Sequence, residues 1–198
     1  VFMGIFWGIT GAGGLLLSQY FGAGDKKSGQ IIFALQHVAG IMVGLAFTIM
    51  LLLAPELMLR IFVKDAATVS AGLGYMEIIR FSYIPAGISM VTMFSLRSVG
   101  QSKVPFYVGL LTVSINIFLN WVFIFGKLGQ PAMGARGAAL ATLIARVIEM
   151  VFYILWVASG KSWFNWNIAA AGQASKRLLR MASAKTFPLI ANEFLWTM

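Results

Sequence analysis

Three stretches of this chain carry no charged side chain: Val1 to Gly24, Ser28 to Pro55 and Val104 to Gly126. A bilayer core about 30 Å thick is crossed by roughly 20 apolar residues in a helix. Three such runs in a chain of 198 residues are hard to bury in a water-soluble globule. Two further apolar runs hold isolated charges. Ala71 to Leu96 contains Glu77 and Arg80, and Gly137 to Val157 contains Arg146 and Glu149. Another run starts near Thr186 and stops with the sequence at Met198. In hydrocarbon every backbone polar group must be paired within its own segment, so these runs are expected to be helices. The sequence predicts an all-α, polytopic membrane helix bundle with spans near 1–20, 31–55, 71–96, 104–126 and 137–157.

Composition agrees. The chain is 60% hydrophobic and 11% charged, against roughly 45–50% and 25% for an ordinary soluble domain. It has no cysteine and one histidine, His37. Disulfide frameworks, thiolate metal sites and cysteine nucleophiles are excluded, and a zinc site or Ser-His-Asp triad would rest on His37 alone. Few carboxylates remain for an acid–base pair. These counts argue against an enzyme and against a bound cofactor.

The net charge of +9 could serve nucleic acid or orient a membrane protein. Its distribution decides. The first, third and fifth connections hold nine of the basic residues: Lys26, Lys27, Arg97, Lys103, Lys161, Lys176, Arg177, Arg180 and Lys185. The second and fourth hold four: Arg60, Lys64, Lys127 and Arg136. The excess places the first set in the cytoplasm and needs no nucleic acid. The longest connection, Ser159 to Lys185, carries Trp163, Phe164, Trp166 and the basic run Lys176 to Arg180. It reads as an interfacial segment with its rings at headgroup depth. Membrane lipid is therefore an expected partner. Because the sequence opens and closes inside apolar runs, it reads as a piece of a longer protein.

Several residues inside the spans stand out. Gly4, Gly8, Gly11, Gly13 and Gly14 give small-xxx-small spacing, suited to close helix packing or to a cleft. Pro85 lacks an N–H and crowds the carbonyl of Phe81, so it bends its helix and, beside Gly87, is a candidate hinge. Glu77 and Arg80, and again Arg146 and Glu149, are three residues apart and share a helix face. Arg146 and Glu149 are either a structural pair or a polar lining of a solute path. Asn116 and Asn120, four apart, need partners in an apolar helix. They either bond to neighbouring helices or, with Thr142, line a cation site. His37 is expected to be a satisfied polar residue near the interface. Most of the eleven methionines are expected to be filler, with an adaptable apolar cavity as the alternative. Glu193, among apolar residues after Pro188, is either a desolvated proton-exchanging carboxyl or a carboxylate at a helix end.

Four stretches together resemble one family. They are Ser18 to Asp25, Leu96 to Pro105, the segment from Asn116 through Gly126 and Pro131 to Thr142, and Asn192 to Trp196. In this order and hydrophobic spacing they resemble the multidrug and toxic compound extrusion (MATE) transporters. The resemblance implies a twelve-helix inverted architecture of two six-helix lobes. Residues 1–158 would be most of the N-terminal lobe, 159–185 the cytoplasmic amphipathic linker between lobes, and 186–198 the start of the first C-lobe helix. The missing C-lobe of the same polypeptide would be a partner.

The family exports cationic or amphipathic small molecules in exchange for inward Na+ or H+ by alternating access. A location in the bacterial cytoplasmic (inner) membrane follows. Asn116 and Thr142 match residues of the family's N-lobe cation site. Asn120 stands where many members have Asp, so that carboxylate is absent here. Glu193 matches a seventh-helix acid used for coupling in some members, which favours coupling through the C-lobe. The alternatives are a lipid-linked oligosaccharide flippase of the same superfamily and a non-transporting membrane subunit. A flippase tends to line its cavity with several cations, whereas only Arg80 and Arg146 lie within spans here.

Overall fold

A computed structural model describes residues 2–60 and 65–197, without the side chains of residues 66, 67, 193, 194, 196 and 197. Lys64 lies outside the described residues. Among the described residues eight α-helices follow one another: α1 (Phe2–Gly22), α2 (Lys26–Leu53), α3 (Pro55–Arg60), α4 (Ala66–Ile79), α5 (Tyr83–Ser98), α6 (Lys103–Phe125), α7 (Ala135–Ala158) and α8 (Lys176–Thr197). No strand occurs among the described residues. Among the described residues five candidate spans are long and apolar enough to cross a bilayer: Phe2–Gly22, Lys26–Leu53, Thr68–Ser98, Lys103–Phe125 and Ala135–Ala158. Each overlaps one predicted span, with ends that differ by up to about five residues.

Helix ends follow local chemistry. Asp25 caps α2 by accepting from the backbone N–H of Ser28 at 3.0 Å. Hydrogen bonds from Ser28 hold the Asp25 carboxyl below the usual carboxylate range. α6 stops at Gly126, whose φ of 67° is the left-handed cap that glycine adopts without strain.

The third span is not one helix. It passes from α4 through a 3-10 turn at Arg80–Ser82 into α5, with Pro85 in the first turn of α5. The missing N–H of Pro85 explains the interruption. Glu77 and Arg80 form no ion pair among the described residues, contrary to the expected pair. Glu77 instead meets Arg136 of α7 at 3.2 Å, with both side chains exposed. The Arg80 guanidinium lies 5.1 Å from the ring centre of Phe81.

α1 packs against α2, α5 and α8, α2 against α5, and α7 against α4, α5 and α6. The glycines of α1 serve this packing. A Cβ on Gly8 would lie 2.9 Å from the backbone nitrogen of Ile190, so α8 can approach only because that side chain is absent. A Cβ on Gly13 would collide with the Gln36 side chain. α6 turns large side chains outward, including Leu110, Ile117, Phe118 and Trp121. Such a face is a liability in water and suits lipid.

Residues 159–175 fold back onto α2 through a 3-10 turn at Ile168–Gln173. Gln30 donates to Asn165 O at 2.8 Å and accepts from Asn165 N at 2.9 Å. Phe164 is fully buried and stacked on Phe33, centroids 4.3 Å apart. The boundary drawn between 185 and 186 falls inside the continuous helix α8. His37 is satisfied, as expected, and fully buried in the bundle, with Nδ1 2.8 Å from Phe33 O and Nε2 2.9 Å from Thr92 Oγ1.

Candidate functional site

The polar residues of α6 and α7 converge. On α6, Gly109, Thr112 and Asn116 are three and four residues apart, so they share one face. On α7, Thr142, Ala145, Arg146 and Glu149 do the same. The two faces enclose a cavity of about 190 Å³ lined by these residues and Val113. Arg146 Nη1 donates to Glu149 Oε2 at 2.7 Å. Thr142 and Thr112 donate their hydroxyl protons to Ala138 O and Val108 O at 2.9 and 2.8 Å, which leaves both oxygens able to accept or to ligate.

Asn120 does not line the cavity. Its Nδ2 donates to Asn116 Oδ1 at 3.0 Å, while its own buried Oδ1 has no partner among the described residues. It therefore orients the Asn116 amide from one turn away.

A second cavity of about 360 Å³ lies on the other flank of α7, between α1, α4, α5 and the 3-10 turn. Thr142 and Arg146 border both cavities. The second is walled by rings and thioethers, among them Phe2, Tyr75, Tyr83, Met90 and Met93. Three of the methionines, Met3, Met90 and Met93, line it, as in the adaptable apolar cavity that was the alternative to filler. Thr112 was missed, although its spacing to Asn116 was the signal.

The structure thus brings Asn116, Thr142, Arg146 and Glu149 together, with Asn120 bonded behind Asn116. Pro85 stands one residue from Ala86 in the wall of the larger cavity. The Glu193 side chain lies outside the described residues; its helix, α8, packs on α1. Among the described residues no group of three or more His, Cys, Asp or Glu forms a metal cluster.

A match to the MatE family runs over residues 1–122. The chain belongs to this family. The probable multidrug resistance protein NorM of Thermotoga maritima is 32% identical over 186 residues, covering 91% of this chain and 39% of the relative. The multidrug resistance protein NorM of Vibrio vulnificus is 29% identical over 148 residues, covering 74% and 32%. This chain therefore spans about two fifths of such relatives or less.

Among solved structures, a MATE in the bent conformation gives a TM-score of 0.84 at 20% identity, over 96% of this chain and 41% of the other. The outward-facing conformation of a multidrug resistance MATE family transporter of the MOP superfamily gives 0.85 at 20% identity, over 98% and 42%. The inward-facing conformation of a multidrug resistance MATE family transporter gives 0.82 at 22% identity, over 98% and 44%. These likenesses establish the fold. With its five span-length helices, this MATE-family chain is an integral, multi-pass membrane protein.

Proposed function

We propose that the protein is a secondary active exporter of amphipathic drugs and xenobiotics, driven by inward Na+ or H+ through alternating access. One observation carries this: a polar, oxygen-bearing cavity and an aromatic, Met-rich cavity share Thr142 and Arg146 inside one membrane-embedded bundle. A cation held beside Asn116, Thr142 and Glu149 would alter the field at Arg146, and so at the neighbouring cavity. That is the coupling an antiporter needs. The multidrug-resistance names of the NorM relatives support the same activity.

Asn116 Oδ1, Thr142 Oγ1 and a Glu149 carboxylate oxygen are the ligating atoms this lobe offers to Na+. Glu193 is the second coupling candidate, as a carboxyl in an apolar segment that gains and loses a proton. Pro85 and the 3-10 turn before it are the candidate hinge. A flippase for a pyrophosphate lipid has less support. Of the two in-span cations, Arg146 lines a cavity whereas Arg80 rests on Phe81.

The test uses the full-length protein in everted vesicles. An imposed Na+ or pH gradient should drive accumulation of a fluorescent drug, and dissipating the gradient should stop it. Glu193→Gln and the pair Asn116→Ala, Thr142→Ala should each lose at least part of the driven flux while still inserting. Flux unchanged by every gradient and every variant would sink the proposal.

A further inference from the structure

The start of α2 and the segment that follows α7 meet at one end of the bundle. A cavity of about 240 Å³ lies between them. Lys26, Lys27 and Gln30 form one wall, and Asn165, Asn167 and Gln173 form the other. The walls are fastened together. Gln30 exchanges two hydrogen bonds with the backbone of Asn165, at 2.8 and 2.9 Å. Beside it the Trp163 ring fills the space that a side chain on Gly29 would take.

The charge of this cavity sits where a helix tolerates it least. Lys26 and Lys27 are the first two residues of α2. They stand at the positive end of the helix dipole, which favours anions and opposes cations. Helix stability therefore does not account for the two ammoniums, and an anion resting on them is favoured by both. The helix end is itself capped. The Asp25 carboxylate accepts from Ser28 N at 3.0 Å, and Asp25 O accepts from Gly29 N at 3.1 Å. The charge on offer is that of the lysines, which bind phosphate as point charges.

Lys27 also heads an apolar row. Ile31, Val38, Met42, Leu45 and Ile49 follow it at steps of four, seven, four, three and four residues, which keeps all of them on one face of α2. Met42, Leu45 and Ile49 are exposed. The opposite face carries Gly40 and Gly44, which meet Val91 and Ile84 of α5. The polar cavity is thus continuous, along one helix face, with apolar side chains that run into the membrane. Next to it Phe21 and Trp163 meet edge to face, centroids 5.4 Å apart, and Trp is enriched at headgroup level. The charge count of the connections puts this end in the cytoplasm. The leaflet there is anionic, and basic pockets on that side of membrane helices hold anionic headgroups.

We propose that this cavity seats the headgroup of an anionic phospholipid of the cytoplasmic leaflet. Lys26 and Lys27 hold the phosphate. The amides of Asn167 and Gln173 meet the hydroxyls of the head, and an acyl chain lies along the row from Ile31 to Ile49. A soluble phosphate would gain the first of these contacts without the last, which is why the occupant is a lipid. The proposal requires that the chain spans a membrane and does not depend on export.

The test offers the purified full-length protein, in non-ionic detergent, equimolar phosphatidylglycerol and phosphatidylcholine with the same chains. Bound lipid is counted by native mass spectrometry. Each lysine beside an anionic head is expected to contribute about fivefold, so phosphatidylglycerol should exceed phosphatidylcholine by about tenfold or more. The double variant Lys26→Gln, Lys27→Gln should lose that preference, and Lys26→Arg, Lys27→Arg should keep it. Both lysines are exposed, and removing cations from a helix N-terminus should not lower the melting temperature. The control Lys176→Gln, Arg177→Gln removes the same charge from exposed positions of the cytoplasmic set and should leave the preference in place.

Equal losses in the two double Gln variants would mean a diffuse basic surface, and an absent preference in the wild type would mean no site. Either result overturns the proposal. Glycerol phosphate carries the head without the chains and should displace the lipid only at concentrations far above the lipid's own. Displacement at equal concentration would make this a site for a soluble anion, and the lipid assignment would fail. A protein that exports drugs yet shows no lipid preference refutes this proposal alone. One that keeps the preference without exporting refutes the other alone.

Discussion

The hydroxyl of Thr48 on α2 lies 2.9 Å from the carbonyl oxygen of Arg80, in the turn that interrupts the third span. It also lies 2.8 Å from Gly44 O in its own helix. Pro85 cannot donate to the carbonyl of Phe81, and the chain tightens into 3-10 form beside it. Thr48 supplies a donor to the loosened stretch from the neighbouring helix. Thr48→Val should cost about 1 kcal/mol, the net worth of one buried hydrogen bond, seen as a lower melting temperature in detergent. Pro85→Ala restores an N–H and should stabilise a straight helix. If the bend is a hinge, that variant will melt higher and export less. Full export by a stably inserted Pro85→Ala protein would make the bend a fixed feature of the packing.

The glycines of α1 are predicted to be unequal. A Cβ on Gly8 would lie 2.9 Å from the nitrogen and 3.0 Å from the Cα of Ile190. Backbone cannot step aside as a side chain can, so Gly8→Ala must push α8 from α1, at about 1–3 kcal/mol. A Cβ on Gly11 would meet Leu189 Cδ1 at 3.5 Å, an ordinary contact. Gly11→Ala should be nearly neutral. Thermal unfolding of the two variants side by side checks this. Equal losses would mean that the α1–α8 contact does not limit stability.

The bundle was legible because span length and charge-free runs are imposed by the bilayer, and both are written one residue after another. Asn116, Thr142, Arg146 and Glu149 were legible because a polar side chain in hydrocarbon is costly and so marks itself. What the sequence hid was pairing between segments. Spacing alone put Glu77 with Arg80, whereas its partner is Arg136, 59 positions away in sequence. Phe164 was legible only as one ring of an aromatic, basic segment, and only the fold shows it stacked on Phe33. The Met and Tyr wall of the larger cavity left no trace in spacing, since its residues come from separate helices.

Breaking the Arg146–Glu149 pair should also be asymmetric. Arg146→Ala leaves a carboxylate at 8% exposure without its cation, at about 3 kcal/mol for an uncompensated buried charge. Glu149→Ala leaves a guanidinium that is 35% exposed and opens into a cavity, so the loss should be nearer about 1 kcal/mol. Chemical or thermal unfolding of the two single variants measures the difference. A larger loss for Glu149→Ala would mean that the guanidinium is the more deeply desolvated partner.

The histidine in the core yields the least intuitive prediction. A carbonyl oxygen can only accept, so the 2.8 Å contact with Phe33 O requires the proton on His37 Nδ1. Nε2 is then an acceptor for the Thr92 hydroxyl at 2.9 Å. That hydroxyl has a second acceptor within reach, Ile88 O at 2.8 Å. Replacing the histidine by phenylalanine therefore orphans nothing, because Thr92 turns to Ile88 and the new ring keeps the stacking against Phe33 and Trp166. His37→Phe should cost less than about 1 kcal/mol. Thr92→Val is the damaging change, since it strands a fully buried Nε2, at about 1–3 kcal/mol. The double variant should recover most of that loss, a coupling that a double-mutant cycle reads directly. If His37→Phe proved the worse of the two, the imidazole would have a role beyond filling and bonding in the core.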